Sequence, residues 1–303
     1  MRDFTSSNTW QIPQVFLVRF KTCILQLDLG FAYSGDSQWY IESSAQWYTV
    51  GYFPDTVDAY VQAGAIIGKP QLALWRSFGN QAPDDPASNE GRPGWMYGVR
   101  QYGMHTYLRF LTEVMGVERS FLTDGFYGSN KLSPQEYLYS LVGSETMRSH
   151  IAGLDYLTPE QVERALLEID LAGYWDYFRP SVWQSVNQGT EGEWFRPPPE
   201  LTARGWAYNV FNITNTLTTT YTFELEGDRT GSQGAESFFV GRVVQMTDNG
   251  AKYSQMTMTS DVQGMATTEV TPDDTQVLLV VASVPEFFGS YQHYSYQVRI
   301  SMA

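Results

Sequence analysis

The sequence predicts an α+β protein in two parts, helical over its first two-thirds and all-β over its last third. Three observations lead there. Apolar residues recur at helical spacing through Val162, Ala165, Leu166 and Ile169. Near the C-terminus the period falls to two, with Tyr294, Tyr296, Val298 and Ile300 alternating with Ser295, Gln297, Arg299 and Ser301. Between the two regimes stands Pro197-Pro198-Pro199, and three consecutive prolines form a stiff extended spacer. The expected organisation is a mostly helical domain over 1–196, a Pro-rich linker over 197–204 and a β-sandwich or jelly roll over 205–303.

The helical elements follow in order. A helix over 14–29 ends at Gly30 and the Ser34-Gly35-Asp36 cluster. Asp36 or Ser37 can cap a second helix through Tyr48. On it, Glu42 shares a face with Trp39 and Gln46, at one-turn spacing. Pro54-Asp55 opens a third helix over 56–67, and the Gly-, Pro- and Asn-rich stretch 78–96 reads as a long loop. Tyr97 to Met115 carries Tyr107, Leu108, Leu111, Val114 and Met115 at helical spacing, with Gly116 as its stop. Ser133-Pro134-Gln135-Glu136 and Thr158-Pro159-Glu160-Gln161 each pair a capping hydroxyl with Pro at the first helical position.

The β part is announced by Thr219–Leu225, Ser237–Gln245 and the alternating C-terminal run. Val277 to Ala282 is continuously apolar and predicts a strand buried on both faces. Gly227-Asp228 and Asn249-Gly250 are turn signals.

Composition narrows the function classes. The 303 residues are 43% hydrophobic and 17% charged, enough to bury a core. Tyr and Trp number 20 and 9, and these side chains wall clefts and polar binding surfaces as well as cores. The net charge is −14; residues 205–303 hold 4 Lys/Arg against 10 Asp/Glu, leaving 15 against 23 before them. Neither part offers the basic surface that nucleic acid or an anionic membrane requires. Cys23 is the single cysteine, so no internal disulfide forms. The apolar run Val15 to Leu27 is broken by Arg19, Lys21 and Gln26. It is too polar to insert into a membrane, and no signal peptide is visible, because the charges lie inside the run.

Familiar chemistries lack their parts. The three histidines, His105, His150 and His293, accompany no Gly-x-Ser-x-Gly elbow, and no glycine loop with Lys cradles phosphate. The 33 acidic residues leave a glycosidase-type carboxylate pair open.

One local signal is specific. Trp39-Tyr40-Ile41-Glu42-Ser43-Ser44-Ala45-Gln46-Trp47, preceded by Leu25-Gln26-Leu27, resembles a family of secreted zinc peptidases of the gluzincin type, some of them avirulence or virulence proteins. In that family a His-Glu-x-x-His helix supplies two ligands and the water-activating Glu, and a Trp-x-x-Glu-Ser-x-Ala-x-Trp-like helix supplies a third ligand. The resemblance implies a gluzincin-like helical part, zinc in intact relatives, and a secreted or cell-envelope location. Glu42 matches the third-ligand position. Aligning Gln26 with the family's glutamine puts Arg19 and Cys23 at the histidine positions and Phe20 at the general-base position. Arg19 stays protonated and cannot ligate, Phe20 cannot activate water, and Cys23 can ligate only as thiolate. Tyr102 and His105, on the following helix, are the candidates to face the same cleft.

Three explanations stay open: an inactive relative kept for binding, a reading whose natural N-terminus carried the histidines upstream of Met1, or a coincidence with Glu42 as a buried carboxylate. The expected function is a metallopeptidase-like protein with a degraded or missing zinc site that binds protein or glycoprotein outside the cell. The alternative is a carbohydrate-binding or adhesive β-sandwich protein without enzymatic activity, using exposed Trp and Tyr.

Overall fold

The computed structural model describes residues 38–52, 62, 66, 70–73, 100–128, 134, 136–143, 192–213, 218–232, 234–247, 250–285 and 292–302. The 14–29 helix with Arg19, Phe20 and Cys23, the 78–96 loop, His150 and the helix from Thr158 lie outside the described residues. The chain divides into two compact units. The first contains a short set of helices and the second a largely antiparallel β structure, so the protein is α+β in two parts.

In the first unit, α1 spans Gln38–Tyr52, α2 spans His105–Arg109 and α3 spans Phe121–Gly128. Helix α1 runs through Gly51 to Tyr52, past the Tyr48 end expected from the sequence. Its Trp39, Tyr40, Ile41, Ala45, Trp47 and Val50 are buried. Their spread around the axis makes α1 a core helix rather than one with a single apolar stripe. Tyr40 donates to the carbonyls of Leu122 and Phe121, at 3.2 and 3.3 Å, fixing α1 to the start of α3. Trp47 donates through Nε1 to Thr112 at 3.2 Å.

Residues 100–103 are helical ahead of α2, and Phe110–Val114 continue it as a π-helical turn. Gly116 then adopts a φ of 69°, the left-handed conformation that ends helices and that glycine takes without a Cβ clash. Earlier on this segment, a Cβ at Gly103 would sit 2.2 Å from the Gln62 carbonyl oxygen. Glycine is what allows the two backbones to approach so closely.

In the second unit nine strands are described: β1 (Trp194–Phe195), β2 (Ala207–Ile213), β3 (Thr220–Gly227), β4 (Phe239–Thr247), β5 (Gly250–Gln255), β6 (Thr257–Met258), β7 (Gln263–Glu269), β8 (Asp274–Ser283) and β9 (Tyr296–Met302). They form a five-stranded sheet in the order β1-β9-β3-β7-β6 and a four-stranded sheet in the order β2-β8-β4-β5. All described pairings are antiparallel. Alternate residues of both sheets meet in one core, including Phe211, Phe223, Leu225, Val243, Leu279, Tyr296 and Val298. That is sandwich-like layering.

Val277 to Ala282 are each 1% exposed or less. Val277, Leu279 and Val281 join the shared core, and Leu278, Val280 and Ala282 are equally buried on the opposite face of β8. A strand covered on both sides needs apolar residues at every position, which is why its sequence does not alternate. Gln245 ties the two sheets at one end, donating to the Glu269 carbonyl at 2.9 Å and to Asp274 at 3.0 Å.

The five-stranded sheet begins upstream of the 197–204 segment expected to act as a linker, since β1 pairs with β9 through Trp194↔Arg299 and Phe195↔Val298. The prolines run into a 3-10 turn at Pro199–Leu201, and Ala203 and Arg204 are buried in this unit. The proline run thus carries the chain from one sheet to the other within a single unit. Its lack of backbone donors suits a crossing segment that has no ladder to join.

Candidate functional site

Helix α1 presents Glu42 on the face shared with Trp39 and Gln46, while the helical residues 100–103 present Tyr102. Tyr102 lies close enough to the half-buried Glu42 carboxyl for its hydrogen bonding to favour the charged form. Burial raises the Glu42 carboxyl above its ordinary range, and the Tyr102 hydrogen bond opposes that rise. One residue further along α1, Ser43 donates to the Gln101 carbonyl and anchors the two backbones beside this pair.

The surroundings are polar. Gln46 is only 3% exposed, one helical turn beyond Glu42, and its Nε2 finds no hydrogen-bond partner among the described residues. The Oε1 of the buried Gln101 is likewise unmatched among the described residues. Sequence spacing places Gln46 beside Glu42, but no sequence signal marks its amide as unsatisfied.

His105 has a different setting. It is 2% exposed, and its Nδ1 lies 3.0 Å from the Tyr102 carbonyl oxygen. A carbonyl only accepts, so Nδ1 carries the proton and Nε2 is the bare nitrogen. Burial pushes the ring down to about 4, so it is neutral at pH 7. Among the sequence-selected residues, Glu42 and Tyr102 are therefore brought together by their side chains. His105 abuts the Tyr102 backbone instead, and Cys23 lies outside the described residues.

Zinc needs three protein donors with an open fourth position. No group of three or more His, Cys, Asp or Glu able to hold a metal occurs among the described residues. The donors present around Glu42 are a phenol hydroxyl and amides, which do not suit zinc. The described residues therefore do not fit a zinc centre by themselves.

The second unit has its own polar surface, the outer face of the five-stranded sheet. Cross-strand register aligns Trp194, Arg299, Glu224, Met265 and Thr257 in one row. Arg299 binds Glu224 through two hydrogen bonds of 2.6 and 2.7 Å, and its guanidinium carbon lies 4.7 Å from the Trp194 ring centroid. The bond to Arg299 lowers the Glu224 carboxyl below its usual range. Trp194 remains 37% and Met265 50% exposed. On one side of this row lie Ser301, Thr222 and Thr267. On the other, Arg196 donates to Gln297 at 3.2 Å and Gln297 to Glu226 at 2.7 Å, with Gln263 opposite Glu226. Strand alternation made Gln297 and Arg299 legible as outward-facing, but the row appears only once register is known.

Among the described residues, no helix is long and apolar enough to cross a membrane. No protein-family model matches the chain, and no curated protein matches it significantly.

Proposed function

We propose that this chain is a metallopeptidase-like protein of gluzincin layout whose zinc site is incomplete, and that it acts outside the cell by binding protein or glycoprotein. The observation that supports this reading is the meeting of Glu42 and Tyr102. A third-ligand carboxylate in such a scaffold sits on a core helix and is oriented by a hydrogen bond from a neighbouring element. Glu42 has that setting. With Arg19, Phe20 and Cys23 at the other motif positions, the chain lacks both histidines and the general base. What remains is a polar niche suited to recognition rather than hydrolysis.

Zinc stoichiometry after dialysis against micromolar zinc tests the reading, with wild type and Glu42→Gln compared and casein hydrolysis followed in parallel. Neither protein is expected to retain zinc or cleave casein. One zinc per chain in the wild type, lost in the variant, would overturn the incomplete site and assign Glu42 a working ligand role. The carbohydrate-binding alternative is favoured by a separate observation, the aligned outer row of the five-stranded sheet.

A further inference from the structure

We infer that the outer face of the five-stranded sheet binds an extended, uncharged β-1,4-linked polysaccharide along the row Trp194–Arg299–Glu224–Met265–Thr257. This deepens the carbohydrate-binding alternative and does not depend on the Glu42 site.

Five neighbouring strands spaced about 4.8 Å apart carry the row roughly 19 Å across the sheet, long enough for several sugar rings. Four of the row's five positions carry flat or apolar groups: an indole at the β1 edge, a guanidinium–carboxylate pair joined by two hydrogen bonds, and a thioether. A β-1,4-linked ribbon has flat C–H faces that stack on such groups, as apolar surfaces stack on aromatic rings. Its hydroxyls project along both edges. The flanking rows supply matching partners, hydroxyls from Ser301, Thr222 and Thr267 on one side and amides from Gln297 and Gln263 on the other.

Arg299 is neutralised by Glu224, and Arg196 is linked to Glu226 through Gln297. The cation within the row is thus already matched by a carboxylate and does not draw in an anionic polymer. The chain's net charge of −14 repels one. An uncharged glycan is the occupant that meets no penalty.

Met265 at 50% and Trp194 at 37% present apolar surface on a face that is otherwise polar. A cross-strand row serving only to stabilise the sheet gains nothing from leaving a methionine in water within it.

The test is isothermal titration of the full chain with cellohexaose, with polygalacturonate as the anionic comparison. Wild type is expected to bind cellohexaose, and Trp194→Ala to weaken it by roughly tenfold or more. Because β1 is short, Met265→Glu provides a second variant at an exposed position, expected to cause a comparable loss with an unchanged circular-dichroism spectrum. No heat from cellohexaose at millimolar concentration would overturn the proposal. So would equal binding by both variants, or polygalacturonate binding as tightly as cellohexaose. None of these results would alter the zinc measurement.

Discussion

Adding one methyl group at Gly103 should destabilise the helical unit, while the same change at Gly51 should stabilise it. Both glycines lie in helical backbone without positive φ, so alanine is favoured at each by intrinsic propensity, by about 0.5–1 kcal/mol. Their surroundings differ. A Cβ at Gly51 meets nothing within 4 Å. At Gly103 it would lie 2.2 Å from the Gln62 carbonyl oxygen, 2.9 Å from Ile66 Cγ1 and 3.0 Å from the Gln62 carbonyl carbon. Two of those atoms are backbone, so a rotamer change cannot relieve the clash. Overpacking of this kind costs about 1–3 kcal/mol, more than the propensity gain. Gly103→Ala should therefore lose stability by about 1–2 kcal/mol net, and Gly51→Ala should gain about 0.5 kcal/mol. Urea unfolding followed by far-ultraviolet circular dichroism reads both. A stabilised Gly103→Ala protein would refute the close approach of the two backbones. Since Tyr102 precedes Gly103, the same variant should also weaken the Glu42–Tyr102 bond.

Other predictions concern ionisation. The Glu42 carboxyl is raised above 4.5, so its contribution to stability is present below that value and is lost as pH rises through its folded pKa. Glu42→Gln should accordingly gain on wild type as pH rises towards neutral, measured from urea midpoints at several pH values; a constant difference would contradict this. His105 falls from 6.5 to about 4, so the unfolded chain binds the extra proton and stability declines as pH drops through that window, by about 3 kcal/mol in all. His105→Gln should flatten that decline. Glu224 is lowered by Arg299, so its contribution is present above its ordinary pKa and lost as pH falls through the depressed value. Both side chains stay partly exposed, Arg299 at 35% and Glu224 at 27%, so Glu224→Gln should cost only about 0.5–1 kcal/mol near neutral pH, and less in high salt.

Particular residues show what the sequence could and could not reveal. The β8 run from Val277 to Ala282 declares its two-sided burial because every position must be apolar. The alternation in β9 likewise separates core from surface without any structure. The Trp-x-x-Glu pattern placed Glu42 on a helix and made Tyr102 a neighbour worth naming. Strand β1 was not legible, because a two-residue strand has no period to detect. The stiffness of the proline run is visible in sequence, whereas the strand pairing that precedes it is not. Register is the general gap: Trp194 and Glu224 are far apart in sequence and meet only through Arg299 of β9, near the C-terminus. The unmatched amide of Gln46 is a property of packing, and no local pattern encodes it.

The most direct test rebuilds the missing motif. Arg19→His, Phe20→Glu and Cys23→His together restore His-Glu-x-x-His at the aligned positions, and native mass spectrometry counts zinc on the intact chain. Wild type should carry no zinc, the rebuilt protein one, and the rebuilt protein none once Glu42→Gln is added to it. A rebuilt protein that takes up no zinc, or one that holds zinc regardless of Glu42, would contradict the gluzincin-like layout.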